Sequence, residues 1–322
     1  MDDAAIKQMM VDAISKRVSD IYILPELDRY RLLTLCVGKM KLKKYLGGRE
    51  GQQLITYFKY RGNMAVSEHR RPQTGAMQWH HDHQTTFLRL SSVGDFQGHE
   101  SLVIRLIYRL NDEYKLLVDR QWPNLCKLCQ HRGMVIFAGP MGSGKTTTMY
   151  RLGRQFSKKA VVMSIEDPVE IQESSFIQLQ VNELAGMNYE SLIRVGLRHR
   201  PAVFIIGEIR DEKTAQMAVR AALSGHLVLA TIHAQNTAGI INRLRQLGVA
   251  ESYLEQTLSG VCYQRLLPLL KGGQAVLFDL VDCHQGLSKI KGGMSDAWRR
   301  NLRQAALSQK ISPASISSFA EG

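Results

Sequence analysis

The stretch GPMGSGKTTTMY, from Gly139 to Tyr150, has the residue types and spacing of a phosphate-binding loop. Its glycines allow backbone N–H groups to turn inward toward phosphate oxygens, and a helix predicted from Lys145 adds the positive end of its dipole. Lys145 is placed to reach the β- and γ-phosphates of a nucleotide, and the Thr146 hydroxyl to ligate Mg²⁺. The predicted nucleotide-binding residues are Gly139, Pro140, Met141, Gly142, Ser143, Gly144, Lys145, Thr146 and Thr147.

Two later apolar runs end in carboxylates. In IEDPVE, Glu166 lies at the end of a predicted strand, where ligands bind in parallel sheets. Glu166 is a candidate to hold Mg²⁺ through water or to orient the attacking water, and a solvated charged turn is the alternative. VFIIGEIRD has the shape of the second nucleotide motif, a buried strand that ends in an acid. Glu208 in that motif is predicted to polarise water for in-line attack on the γ-phosphate.

The segment SGHLVLATIHA places His226 and His233 on either side of one predicted strand. A lone histidine at a strand end is more often a structural residue than a site residue. Because this pair follows three nucleotide motifs, we predict that His233 senses the γ-phosphate. For His226 a role in the site and a structural role stay equally open.

Composition and charge restrict the class of protein. The chain has 322 residues, 44% hydrophobic and 22% charged, enough for two domains of ordinary size. It contains no apolar stretch of membrane-spanning length, and the opening MDDAAIKQMMVDAISKR has no apolar signal core, which predicts a cytoplasmic protein. The net charge of +13 would attract phosphates, nucleic acid or anionic lipid without selecting among them. No basic run with interleaved aromatics stands out, so we expect no direct nucleic-acid partner.

The five cysteines are odd in number and scattered, which favours reduced thiols over a disulfide framework. Cys126 and Cys129 form a CxxC pair. A tetrahedral zinc site needs four ligands, and no second CxxC or HxxxH follows, so we interpret the pair as packing residues of a helix.

The elements that must position these motifs fall into two blocks. Residues 1–107 alternate helix and strand patterns in an α+β arrangement, followed by a linker at 108–116. Over 117–284, buried apolar strands alternate with helices, which predicts an α/β fold with a mostly parallel, doubly wound sheet. Residues 285–322 are predicted to form a helical or flexible tail. Within it, Ser295–Lys310 fits a basic amphipathic helix for partner or membrane contact, or a solvated surface helix.

Taken in order, the four motifs resemble the Walker A loop, Asp box, Walker B motif and His box of the type II secretion and type IV pilus traffic ATPases. The resemblance is strong over residues 105–270 and weaker before them, where SDIYILP is similar to the family's SDIH segment. The chain is short, lacks the late four-cysteine zinc module of larger members, and carries LRHRP. In these respects it looks most like the competence-pilus ATPases of Gram-positive bacteria.

This resemblance implies a RecA-like P-loop NTPase core, a smaller PAS-like N-terminal domain, and ATP and Mg²⁺ as ligands. Thr146 would bind Mg²⁺ directly and Glu166 through water. By the same analogy Arg89 and Arg105 are candidates for γ-phosphate contacts across the interdomain cleft, and strand-surface arginines are the alternative. The family also implies a homo-oligomer, a hexamer, at the cytoplasmic face of the cell membrane. It would associate with that membrane through an inner-membrane platform protein and drive assembly of a DNA-uptake pseudopilus.

One departure from the family pattern keeps other functions open. Pro201-Ala202 stands where the family usually has Pro-Asp, which makes metal support or local hydrogen bonding less certain. Ala202 therefore keeps open a nucleotide-gated scaffold with weak turnover. A pilus-retraction motor would share the same nucleotide site, although the retraction signature AIRNLIRE is not found in this sequence. The net charge keeps open a motor that binds nucleic acid directly.

Overall fold

The computed structural model describes residues 2–36, 39–81, 84–110, 114–287, 290 and 292–322. The chain separates into two units, Met1–Arg109 and Leu110–Gly322. The division falls within the segment predicted as the linker. Each unit has its own sheet and its own buried side chains.

The elements of the N-terminal unit are α1 (Asp3–Ser15), β1 (Asp20–Glu26), β2 (Arg29–Cys36), β3 (Lys39–Gly47), α2 (Gly48–Arg61), β4 (Gln73–His81), β5 (Gln84–Gly94) and β6 (Glu100–Ile107). Its six strands form one sheet in the order β3-β2-β1-β6-β5-β4, and neighbouring strands are antiparallel. Because alternate residues of an antiparallel strand face opposite sides, one face of such a sheet can be covered while the other meets solvent. Met10 of α1 and Phe58 of α2 are fully buried in one cluster with strand residues such as Ile23.

The elements of the C-terminal unit are α3 (Gln121–Leu128), β7 (Gly133–Ala138), α4 (Lys145–Ser157), β8 (Val162–Glu166), β9 (Ile177–Gln180), α5 (Tyr189–His199), β10 (Val203–Ile206), α6 (Glu212–Leu223), β11 (Leu227–Thr231), α7 (Thr237–Gln246), α8 (Glu251–Thr257), β12 (Leu258–Pro268), β13 (Gln274–Asp282), α9 (Asp296–Leu307) and α10 (Ala314–Ser318). The strand order is β13-β12-β7-β11-β10-β8-β9. The pairing is parallel throughout except between β12 and β13.

Strand β7 shows why this sheet carries helices on both faces. Met134 and Ile136 are buried in one hydrophobic cluster, whereas Val135 and Phe137 are buried in another. Since successive side chains of a strand point to opposite sides, the two clusters are the two faces of the sheet. Helix α4 packs in the second cluster and α6 in the first. The predicted fold class, α/β with a RecA-like core and a smaller N-terminal α+β domain, is confirmed.

The segment predicted as a tail contributes to the core of the C-terminal unit. Helix α9 begins after Ser295, whose side chain accepts a hydrogen bond from the Trp298 backbone N–H. Trp298 is fully buried, and its indole Nε1–H donates to the Phe319 carbonyl at 2.8 Å. One face of this amphipathic helix is therefore occupied by the protein's own core.

Cys129 is buried and Cys126 half-buried at the end of α3, and burial raises the pKa of both thiols. The described residues contain no group of three or more His, Cys, Asp and Glu side chains suited to hold a metal ion. No helix within those ranges has both the length and the apolar character that crossing a bilayer requires.

Candidate nucleotide site

Four neighbouring parallel strands bring the predicted motifs to one edge of the sheet. The registers Ile136↔Ala230 and Ile206↔Ala230 align β7, β11 and β10, and Ile206↔Ile165 aligns β8. The phosphate-binding loop follows β7, Glu166 ends β8, Glu208 follows β10 and His233 follows β11. Residues separated by almost one hundred positions therefore converge at the carboxyl ends of adjacent strands, where ligands bind in such sheets.

Backbone conformation explains the glycines of the loop. Gly139, Gly142 and Gly144 have φ values of 146°, 73° and 85°, a region that side-chain-bearing residues rarely adopt. A Cβ at position 139 would also lie 2.3 Å from the carbonyl oxygen of Gln264 on β12. Glycine is thus required at position 139 for both conformation and space.

Lys145 lies folded over the loop from which it projects. Its Nζ donates to the carbonyl oxygens of Gly139 and Pro140, at 2.8 and 3.0 Å. Burial lowers the pKa of Lys145, and the carboxylates of Glu170 and Glu208 oppose that shift. A phosphate would offer this ammonium charged acceptors in place of neutral carbonyls, and such bonds are about twice as strong.

A cleft of about 550 Å³ opens where these motifs meet. Among the predicted site residues it is lined by Met141, Gly142, Gly144, Lys145, Thr146, Thr147, Glu166, Glu208 and His233. It also contains residues that sequence reasoning did not select, including Asp167, Glu170, Tyr189, Arg210, Thr231 and Leu266. The cleft combines loop N–H groups, a lysine, a hydroxyl and several carboxylates. These are the groups that bind a nucleoside triphosphate together with a divalent metal.

Glu208 is fixed in the cleft through both of its carboxylate oxygens. Oε1 lies 2.7 Å from His233 Nε2, and Oε2 accepts a hydrogen bond from Arg210 Nε at 2.6 Å. The Thr231 hydroxyl donates to the carbonyl oxygen of Gly207 at 2.6 Å, which anchors the turn before Glu208. Arg210 was not predicted, although its position two residues after Glu208 in GEIRD is a usable signal.

Glu166 lines the cleft, but its carboxylate belongs to a buried network. The side chain is 2% exposed and accepts a hydrogen bond from the Tyr150 hydroxyl, which itself accepts one from Gln178 at 2.7 Å. Burial raises the pKa of Glu166 to about 7. The metal and water roles predicted for Glu166 stay predictions.

Glu170 is the residue whose carboxylate contacts Thr146, the predicted metal ligand. The Thr146 hydroxyl donates to Glu170 Oε2 at 2.9 Å. Glu170 is the last residue of IEDPVE, the motif in which the sequence selected only Glu166. A carboxylate and a hydroxyl at this distance can share one Mg²⁺ ion.

We expect Glu166→Gln to change the pH dependence of stability. The folded-state pKa of about 7 lies above the unfolded value near 4.5, so rising pH removes the proton from the unfolded chain first and favours unfolding. Between pH 5 and 8 the free energy of unfolding of the wild type should fall by roughly 2 kcal/mol relative to that of Glu166→Gln. In this variant the amide oxygen of the glutamine still accepts the Tyr150 hydrogen bond. Urea denaturation at both pH values measures this difference. Glu255→Gln, on the exposed face of α8, is the control, and parallel curves for all three proteins would contradict the prediction.

His226 lies away from this cleft. It precedes β11, so it lies at the amino end of the strand whose carboxyl end leads to His233. Its Nδ1 contacts the Ala221 carbonyl oxygen at 3.0 Å, and its ring lies 5.2 Å from that of Phe204. These contacts favour the structural role of His226 over the role in the site.

Ala202 also lies at that opposite edge. Its backbone N–H donates to Val161 and its carbonyl accepts from Leu227, which pairs it just before β10 begins. Glu208 follows the other end of the same strand, about 20 Å away at the usual rise per residue. An aspartate at position 202 would therefore lie at the edge of the sheet opposite the cleft that Thr146 and Glu208 line.

Arg89 and Arg105 are paired on adjacent strands of the N-terminal unit, β5 and β6. Arg105 Nε donates to Asp20 Oδ1 at 2.8 Å, with the arginine side chain about half exposed and the aspartate buried. The predicted contacts of both arginines with a γ-phosphate stay predictions.

A buried glutamine that sequence reasoning missed supports the loop. Gln264 of β12 is fully buried; its Nε2 donates to the Ser143 carbonyl at 2.6 Å, and its Oε1 accepts from the Thr148 hydroxyl at 2.9 Å. The Thr148 hydroxyl also lies 2.6 Å from that of Tyr114. The available signal was one amide within the apolar run GVCYQRLLPLL, since a buried polar group requires partners.

The fold and the site together define a P-loop ATPase with a RecA-like core. The profile of the family described as Type II/IV secretion system protein matches residues 3–299. The chain belongs to this family, as the resemblance of the four motifs predicted.

Similar proteins agree with this assignment. Competence protein ComGA of Streptococcus pneumoniae is 45% identical over 264 residues, 81% of this chain and 83% of the relative. ComGA of Bacillus subtilis is 38% identical over 309 residues, which cover 94% and 82% of the two chains. Among solved structures, the Legionella pneumophila ATPase DotB superposes with a TM-score of 0.77 at 19% identity, covering 99% and 96%. The pilus retraction motor PilT gives 0.71 at 21%, covering 97% and 95%, and both show the shared fold.

Proposed function

We propose that this chain hydrolyses ATP with Mg²⁺ to power assembly of a competence pseudopilus, the machine that takes up DNA. The observation that carries this proposal is the position of Glu208. It faces the phosphate-binding cleft from the end of β10, in a chain that shares 45% of its residues with a competence protein over most of its length.

Different side chains of this chain bind the phosphates, hold the metal and activate water. Lys145 binds the β- and γ-phosphates, and the Thr146 hydroxyl would hold Mg²⁺ with support from Glu170 and, through water, from Glu166. Mg²⁺ would neutralise charge on the phosphates when bound. The contacts of Glu208 with His233 and Arg210 orient its carboxylate toward the attacking water.

Several features of the assembly extend this proposal. We assign Arg89 and Arg105 to the transferred phosphate, where an arginine stabilises transition-state charge. The working form is a homo-oligomer, a hexamer, in the cytoplasm at the inner face of the cell membrane. It would contact an inner-membrane platform protein, and the change of the nucleotide from ATP to ADP would drive that partner.

Gene deletion tests the function directly. Loss of the gene should abolish both DNA uptake and surface pili, and a plasmid copy of the wild type should restore them. The same copy with Glu255→Gln should restore them equally, because this side chain lies on the solvent face of α8. Normal uptake in the deletion strain would rule out the proposed role.

A retraction motor is the second candidate, because the retraction motor PilT shares this fold over nearly the whole chain. The two functions give opposite results in the deletion strain. Loss of an assembly motor leaves no pili, whereas loss of a retraction motor leaves excess pili. The scaffold with weak turnover has less support, because Ala202 lies at the edge of the sheet opposite the cleft.

A further inference from the structure

Gln264 of β12 lies against the phosphate-binding loop at three points. Its backbone carbonyl oxygen is 2.3 Å from where a Cβ at position 139 would be, and its side-chain Nε2 is 3.1 Å from where a Cβ at position 144 would be. Between these points, Nε2 donates a hydrogen bond to the Ser143 carbonyl oxygen at 2.6 Å. One residue of a distant strand is therefore packed along the loop from Gly139 to Gly144.

A chain of polar groups fixes the direction of the Gln264 amide. The Thr148 hydroxyl donates to Gln264 Oε1 at 2.9 Å and lies 2.6 Å from the Tyr114 hydroxyl. Since a hydroxyl has a single proton, Thr148 accepts from Tyr114 when it donates to Gln264. Burial raises the pKa of Tyr114, so the phenol keeps the proton that this arrangement requires. The NH₂ group of the amide is thereby turned toward Ser143.

Burial makes this direction of the amide costly to lose. Gln264 and Thr148 are fully buried, and Ser143 is 3% exposed. An amide turned by half a rotation would place its oxygen against the Ser143 carbonyl, and an unpaired buried polar group is expensive. The buried β12 residues Val261, Cys262 and Leu267 are apolar, so packing alone does not explain an amide at position 264.

The hydrogen bond to Ser143 also orients the next N–H group of the loop. In a planar trans peptide the carbonyl oxygen and the following N–H point in opposite directions. Because the Ser143 carbonyl points to the buried Gln264, the Gly144 N–H is directed away from it, toward the cleft that Gly144 and Lys145 line. A donor that is already oriented stabilises an anion without a further cost of reorganisation.

We propose that Gln264 is a positioning residue for phosphate binding, which holds the Gly144 N–H toward a phosphate of the bound nucleotide. Tyr114 and Thr148 act through Gln264, because they fix the direction of its amide. This role rests on the proposed nucleotide-driven function, but it concerns binding alone and does not depend on turnover.

Calorimetric titration with Mg·pyrophosphate and with Mg·ADP measures phosphate binding without hydrolysis. Gln264→Leu removes the amide and keeps a side chain of similar size. It should weaken binding of both ligands by the same factor, roughly 5- to 100-fold, because the Ser143 carbonyl loses its buried donor. Gln256→Leu is the matched control, at an exposed glutamine of α8, and should leave both affinities unaltered.

Gln264→Glu gives a result that a merely structural role would not produce. A protonated carboxyl group can donate to the Ser143 carbonyl as the amide does, whereas a carboxylate would place oxygen against oxygen. Burial raises the pKa of such a carboxyl group, so relative to wild type the affinity for Mg·pyrophosphate should be within about threefold at about pH 5.5 and lower by about tenfold or more at about pH 8.5. Division by the wild-type affinity at each pH removes the titration of the ligand itself, and Gln256→Glu should show a constant ratio.

Melting curves and a pair of Thr148 variants separate positioning from stability. A residue that served the core alone would lower the melting temperature when replaced, while the folded protein would bind both ligands as the wild type does. Thr148→Val removes the hydroxyl at nearly constant shape and should weaken both ligands, whereas Thr148→Ser keeps the hydroxyl and should restore binding. This pair tests the same role even if Gln264→Leu does not fold.

The outcomes that contradict the positioning role are distinct. Unchanged affinity of folded Gln264→Leu for both ligands would make Gln264 a core residue, and weakening of Mg·ADP alone would place its effect on another part of the nucleotide. A ratio of Gln264→Glu to wild type that stays constant with pH would contradict the direction of the amide. A wild-type protein that binds both ligands in this Gln264-dependent way but does not hydrolyse ATP would reject the proposed function and leave the positioning role standing.

Discussion

Glu208→Gln should lower the steady-state rate of ATP hydrolysis by roughly 10²- to 10⁴-fold, the contribution of a general base. The carboxylate faces the phosphate cleft, and its contacts with His233 and Arg210 fix its direction. A glutamine keeps the size and one acceptor oxygen but cannot take a proton from water. Because the substitution leaves Lys145 and the glycines of the phosphate-binding loop unchanged, the KM for ATP should change much less than kcat.

The assay uses the assembled protein with saturating Mg²⁺. Glu255→Gln makes the same chemical change on the exposed surface of α8 and should hydrolyse ATP at the wild-type rate. A circular dichroism melt shows whether either variant has lost its fold. Equal rates for Glu208→Gln and wild type would remove this carboxylate from the mechanism.

Lys145→Ala should weaken nucleotide binding roughly 10- to 100-fold and reduce turnover further. A hydrogen bond to a charged group contributes about 1.5–3 kcal/mol, and in the proposed site Lys145 would supply such bonds to phosphates that the loop N–H groups alone would not replace. Removal of the side chain also takes away the hydrogen bonds that Lys145 Nζ donates to the carbonyls of Gly139 and Pro140, at 2.8 and 3.0 Å. Calorimetric titration with Mg·ADP and kcat/KM for ATP together measure the loss.

Lys213→Ala is the matched control, because Lys213 is an exposed lysine in the first turn of α6. It should bind Mg·ADP as the wild type does. Wild-type affinity in Lys145→Ala would mean that the loop holds phosphates through its backbone alone.

The motifs of the C-terminal unit could be predicted because their chemistry is local in sequence. The loop from Gly139 to Thr147 is continuous, and apolar runs of strand length lead directly to Glu166 and Glu208. Strand polarity then decides which residues share an edge. His226 precedes its strand and His233 follows it, so of the two only His233 reaches the cleft. By the same rule Ala202, which precedes β10, lies at the opposite edge of the sheet.

Contacts between distant segments could not be predicted in the same way. Gln264 meets Ser143 and Thr148 only because β12 lies next to β7, and no local pattern states that register. The contact of Glu170 with Thr146 could not be predicted either, because it depends on the path of the chain beyond β8. In each case a side chain's partner is set by tertiary packing, whereas its residue type is read from the sequence.

The place of β7 in its sheet has a consequence for synthesis of the protein. Its two neighbours are β11 and β12, which begin at Leu227 and Leu258, long after β7 ends at Ala138. At ribosomal rates of about 5–20 residues per second, roughly ten seconds pass between the synthesis of this apolar strand and the synthesis of both neighbouring strands. During that interval both of its edges are open to wrong pairing, so the nascent chain should depend on chaperones until residue 268 has left the ribosome.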